Sequence, residues 1–276
     1  MSTPTGSNEG AGATGIPGIP GIPGEAGPTR LGAGPAAVIA AAVGRFVEEF
    51  ESRAPAGQTG LYLVGSPALG DLSPRQSNLD LVAVTEGPLG EEALRRISKV
   101  HRSMRLHGRE AVVCYTTFDG LQTPSGDPSA TVFEGGAAVS TDRLSNPVTW
   151  SILAQSPVAL HGLPNPPAAS SPDLVRACFA AQLRSIAERA GSLLWRRHLT
   201  RFVLQATRAG HGALTGEVVS LREAAQVALP EASHTSHRVL TDALGYREGA
   251  NTSMYWGPFE RKANAATLTR DLLRHV

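Results

Sequence analysis

The chain has 276 residues, enough for one or two domains and a sizeable core. Lysine plus arginine number 25 against 24 for aspartate plus glutamate, so no global basic field points to nucleic acid. No apolar run approaches the roughly 20 residues of a membrane span. The N-terminus lacks the basic start and apolar core of a signal peptide, so a soluble protein in a reducing, cytoplasmic setting is expected, with no membrane partner. Cys114 and Cys178 cannot build a disulfide framework or a zinc site. Their apolar neighbours, "AVVCY" and "VRACFA", predict two buried, reduced core residues.

Residues 1–34 are of low complexity, with Gly-Ile-Pro three times in succession. Such a segment buries almost nothing and is expected to be a disordered tether. Helical periodicity begins after Pro35 and runs over 36–53. "LYLVG" (61–65) and "LDLVAV" (79–84) read as strands, joined by a loop with Gly70 and Pro74. A helix follows over 90–108, with glutamates in its first turn and a Gly stop. "AVVCYTT" (111–117) is a third strand. Gly and Pro punctuate 121–145, which reads as irregular. A short helix and a short extended piece follow over 146–162. After Pro166-Pro167 the pattern is helical to the end. Ser171-Pro172 marks one helix start, and Ser220 with Glu223 forms a capping box. The expected fold is α+β: a small mixed sheet with helices over 35–165, then a C-terminal α-helical bundle over 166–276.

The chemistry centres on "VGSPALGDLSPRQSNLDLVAV". A Gly-Ser turn after a strand, Gly65-Ser66, offers backbone N–H groups and a hydroxyl to a phosphate. Asn78 and Asp80 lie on alternate residues of one strand, so they share a face. Oxygen donors so placed suit a hard cation such as Mg²⁺. A third carboxylate on a neighbouring strand completes such a site, and Glu110, at the start of "AVVCYTT", stands in that position. His234 and His237 are three apart, but no cysteine or carboxylate beside them has zinc-ligand spacing. Trp150, Trp195 and Trp256 are expected as core or interface anchors, with Trp195 and Tyr255-Trp256 in the part that would face a cleft.

Gly65-Ser66, Gly70-Asp71, Pro74, Ser77 and Asp80-Leu81 resemble the signature of the polymerase-β-like nucleotidyltransferases. "NPVTWSILAQSPVALHGLP" and "ALTGEVVSLREAAQVALP" resemble, more narrowly, the streptomycin/spectinomycin type of aminoglycoside adenylyltransferase. The resemblance covers roughly 36–275. It implies transfer of AMP from ATP, with Mg²⁺, to a hydroxyl of an aminoglycoside-like small molecule. It also implies roles: Gly65 and Ser66 hold phosphate, Asp80 holds metal, and Glu110 is the base. Arg208 lies near the triphosphate.

The chain departs from the pattern at several of these places. Asn78 replaces the first metal aspartate, keeping an oxygen donor and losing a charge. Leu221 replaces a phosphate-binding lysine. Arg222 is next in line but points about 100° away around the helix. "TVFEGGAAV" lacks a cleft tryptophan, and His198 stands where an acidic residue faces the cationic drug. Two readings stay open: a transferase, whose acceptor is a drug-like or other small molecule, and a catalytically impaired relative that binds nucleotide or protein.

Overall fold

The computed structural model describes residues 58–71, 73, 78–103, 111–189 and 195–276, with Gly44, Val47 and Glu48 in helical conformation. Residues 1–34, the rest of the helix expected over 36–53, and Glu110 lie outside the described residues.

Six strands form one mixed sheet. They are β1 (Gln58–Val64), β2 (Leu79–Thr85), β3 (Ala111–Thr117), β4 (Thr131–Glu134), β5 (Ala137–Val139) and β6 (Val158–Gly162), in the order β5-β4-β3-β2-β1-β6. Only β2 and β3 pair in parallel, and helix α1 (Glu91–Ser103) supplies the crossover that a parallel pair requires. The central strands are buried on both faces, which is why they read as near-continuous apolar runs.

Strict alternation sorts these side chains into two cores. Leu61, Leu63, Leu79, Leu81, Val113 and Tyr115 face α1, where Ile97 packs on them. Tyr62, Val64, Val82, Val84, Val112 and Cys114 face the other way. That second core takes in Leu121 of the short helix α2 (Phe118–Leu121) and is continuous with Trp150 of α3 (Pro147–Gln155) and with the C-terminal helices. Asp80 is in phase with Val82 and Val84, so a carboxylate occupies a position whose neighbours on the strand are core valines.

Beyond the sheet lie α4 (Pro172–Arg189), α5 (Arg196–Thr215), α6 (Leu221–Ala228), α7 (His234–Glu248) and α8 (Pro258–Leu273). The Ser171 carbonyl accepts from the Val175 N–H, so α4 opens with Pro172 in its first turn. Ser220 caps α6 by accepting from the Glu223 N–H at 3.1 Å. Gly212 brings α5 hard against α4, since a Cβ there would lie 2.0 Å from the Phe179 ring. No helix among the described residues is long and apolar enough to cross a membrane.

Three expectations need correction. The stretch 121–145 is not irregular throughout, because it contains β4 and β5, joined at Gly135-Gly136 with φ of 58° and 86°. Trp150 is fully buried, but Trp195 and Trp256 are exposed and anchor no core. Cys114 is buried, which pushes its thiol up to about 12, whereas Cys178 is only half-buried. Cys178 sits on the rim of α4 beside Gln182.

Candidate active site

Strand β1 ends at Val64, and Gly65 turns the chain with φ +74. Any side chain would be strained in that left-handed conformation. A Cβ there would also come within 3.0 Å of Asp80 Oδ2. Glycine thus lets the turn lie directly against the carboxylate. The Ser66 carbonyl accepts from the Leu69 and Asp71 N–H groups, which curls 66–71 into a tight turn.

Behind that turn, the buried Asp71 fastens the loop to the C-terminal helices. Arg247 of α7 donates through Nε to its Oδ1 at 3.1 Å and through Nη2 to its backbone oxygen at 2.8 Å. The Arg222 N–H donates to Oδ2 at 3.1 Å. The Arg222 side chain lies 3.7 Å from Asp71 and 3.5 Å from Glu248.

Register places Val64, Asp80, Val112 and Glu134 in one row across β1, β2, β3 and β4. Paired residues point to the same side of a sheet. Asp80 and Glu134 therefore flank Val112 on the face turned to the helices. Glu134 is paired with Arg143. Asp80 has no hydrogen-bond or ion-pair partner among the described residues. Burial pushes its carboxyl up to about 6, and the more distant Arg143, Arg201 and Arg208 pull the other way without prevailing.

Across the cleft stands α5. Arg197, Arg201, Gln205 and Arg208 follow at spacings of four, four and three, which places them on one helix face. All four line the cleft with Gly65, Ser66, Asn78 and Asp80. The cleft has a volume of about 1190 Å³. The Arg208 guanidinium lies 5.6 Å over the Phe179 ring, and its Nε has no partner. Burial lowers its pKa to about 10, against the pull of Asp80 and Asp71.

Of the sequence-predicted residues, Gly65, Ser66, Asn78, Asp80 and Arg208 thus meet in one cleft. Leu221 lines it as well. Arg222 is not among the lining residues, being held by Asp71 and Glu248. Neither Trp195 nor the Tyr255-Trp256 pair lines it. Glu134 and Arg143 line it but are absent from the sequence-based candidates. Arg197, Arg201 and Gln205 also line it and carry no sequence-based role. The periodicity of 197, 201, 205 and 208 was the available signal for the arginine row. Glu134 gave no such signal, because its place depends on β4 lying beside β3.

The protein has a mixed α+β fold of the kind found in a nucleotidyltransferase. One similar solved structure is spectinomycin adenyltransferase AAD(9) from Enterococcus faecialis, determined with ATP and spectinomycin. The TM-score is 0.66 at 14% identity, over 84% of this chain and 98% of that one. At that identity the likeness establishes the fold. No protein-family model and no curated protein matches the chain.

Proposed function

We propose that this protein is a nucleotidyltransferase that moves AMP from ATP to a hydroxyl of a small molecule. One observation carries the reading. Asp80 and Arg208 line the same cleft, and neither Asp80 nor the Arg208 Nε has a partner among the described residues. A half-buried carboxylate with no partner among the described residues suits a cation, and a lone guanidinium N–H suits an anion. A metal-bound triphosphate satisfies both at once. The neighbouring fold, whose structure holds ATP, supports the same conclusion.

In this reading the N–H groups of the Gly65-Ser66 turn hold phosphate oxygens, and Arg208 holds the triphosphate from the α5 side. Asp80 and Asn78 supply oxygen donors for Mg²⁺, which commonly takes one or two carboxylates plus substrate phosphates. That ion would neutralise charge on the leaving pyrophosphate. Glu110, assigned by resemblance, takes the proton of the acceptor hydroxyl. The freed oxygen bonds to the α-phosphorus as the bond from that phosphorus to pyrophosphate breaks. The division at 165–166 belongs to the same reading: among the described residues all six strands precede it, and α4 to α8 follow it.

The test is calorimetric titration of ATP with and without Mg²⁺. Wild type is expected to bind ATP more tightly with Mg²⁺, and Asp80→Ala to lose that gain. Binding that ignores both the metal and Asp80 would overturn the proposal. The second reading, a nucleotide-binding relative without catalysis, draws on Asn78 and on the described residues holding no cluster of three His, Cys, Asp or Glu that could hold a metal. It predicts ATP binding with no AMP transfer to any acceptor tried.

A further inference from the structure

A second cavity, of about 410 Å³, opens between the end of α4 and the start of α5. It shares Arg189, Arg197, Arg201 and Gln205 with the main cleft, but neither Gly65, Ser66 nor Asp80 lines it. Ile186 and Phe202 provide its apolar surface. It is therefore a side chamber of the nucleotide cleft, displaced along α5 away from Arg208. From Arg208 to Arg197 the helix rises about 16 Å.

The chamber's charge has one sign. No carboxylate lines it among the described residues. Arg197 and Arg201 make no hydrogen bond or ion pair among the described residues. His198 adds a further ring nitrogen at the wall. Arg197 and Arg201, with no carboxylate partner among the described residues, repel a cationic guest and offer planar, multiply donating groups to an oxyanion.

Resting on the transferase reading above, we infer that this chamber holds the acceptor, and that the acceptor is an anion. It is a hydroxyl compound carrying a phosphate or carboxylate on a partly apolar body, and not a cationic aminoglycoside. The hydroxyl faces the main cleft and the anionic group lies among Arg189, Arg197 and Arg201. Transfer then joins the hydroxyl oxygen to the α-phosphorus of ATP and releases pyrophosphate, with the hydroxyl proton passing to the base.

Calorimetry on the full chain with Mg²⁺ and a non-hydrolysable ATP analogue tests this. The probes are glucose 6-phosphate, glycerate, neutral glucose and cationic spectinomycin. One of the two anions is expected to bind roughly tenfold or more tightly than glucose or spectinomycin, and to weaken as salt rises. Which of the two binds tells phosphate from carboxylate. Arg197→Glu is expected to abolish anion binding while the Kd for ATP moves less than about threefold, since Arg197 lies far along α5 from Arg208. Tightest binding by spectinomycin overturns the inference, as does no preference for either anion over glucose. An equal loss of ATP affinity in Arg197→Glu also overturns it, because the chamber then belongs to the triphosphate. If ATP fails to bind but an Arg197-dependent anion still does, the transferase reading falls and the anion site stands.

Discussion

Asp71 and Asp80 lie nine positions apart on either side of one loop, and the fold treats them in opposite ways. Asp71 is buried and saturated, with two bonds from Arg247 and one from the Arg222 backbone. Asp242 is handled likewise, with Arg196, Arg261, the Ser253 hydroxyl and the Met254 N–H around it. Asp80 lies half-buried in phase with core valines, with no hydrogen-bond or ion-pair partner among the described residues, and its carboxyl rises to about 6. A buried carboxylate whose bonds are all made holds elements together. One with no partner among the described residues holds nothing together, and its burial raises its pKa instead. Burial alone separates neither case; the count of partners does.

The largest expected effect breaks the saturated side. Arg247→Ala leaves Asp71 buried with only Arg222 beside it. Removing one partner of a buried pair costs about 3–5 kcal/mol. Urea unfolding should show that loss, and a drop below 1 kcal/mol would mean that the pair is solvated. The Gly-Ser loop is tied to α7 through this contact, so ATP affinity should fall in parallel.

The opposite face of the sheet provides the next case, a buried base instead of a buried acid. His101 of α1 bonds the Tyr115 hydroxyl at 2.9 Å and stacks on Phe133. Burial lowers its pKa to about 4. A lowered histidine stabilises the fold fully above its unfolded value of 6.5, and that stability is lost as pH falls toward 4. The loss is expected to reach about 3 kcal/mol by pH 4. His101→Gln should flatten this part of the stability profile while lowering its plateau. A profile identical to wild type between pH 6.5 and 4 would assign the acid sensitivity elsewhere.

The two aspartates also mark what the sequence makes legible. Alternation and the Gly-Ser turn are local, so β1, β2, β3 and the meeting of Gly65, Asn78 and Asp80 could be read directly. The tie from Asp71 to Arg247 spans 176 positions and leaves no trace in local pattern. Strands β4 and β5 went unread because they are only four and three residues long and lie among glycines and prolines. Yet the "GG" between them is itself a hairpin signal. With them went Glu134, whose position depends on strand order. Trp195 and Trp256 depart from expectation because large aromatics are usually covered, and here no described residue covers them.

Asp80→Asn tests the unsaturated side and should move stability and function in opposite directions. The raised carboxyl favours the fold when protonated, below its unfolded value of 3.8. That contribution is lost as pH rises through about 6. At pH 8 the neutral amide should therefore be more stable than wild type, by up to about 3 kcal/mol, with the difference shrinking below about 1 kcal/mol at pH 4. The Mg²⁺-dependent gain in ATP affinity should vanish in the same variant. In wild type that gain should itself fade below pH 6, where Asp80 takes up its proton. A variant less stable than wild type at pH 8 would mean that Asp80 already has a partner.

Asn78→Asp makes the smallest expected change and the sharpest one. It adds a second carboxylate on the strand face of Asp80, since positions two apart point the same way. Without metal, the two like charges repel, which pushes the pair's titration upward and costs about 1 kcal/mol at pH 8. With Mg²⁺ the sign reverses, because the added charge now neutralises a dication. Affinity for Mg²⁺ in the presence of ATP should rise roughly tenfold. Thermal melts with and without Mg²⁺ should therefore diverge more in the variant than in wild type. The two readings of function then part. AMP transfer in wild type that rises in Asn78→Asp marks a working enzyme tuned for weak metal binding. Transfer appearing only in the variant marks a chain that kept Asp80 and the Gly-Ser turn and lost catalysis at one oxygen. An unchanged response to Mg²⁺ would remove position 78 from the metal site altogether.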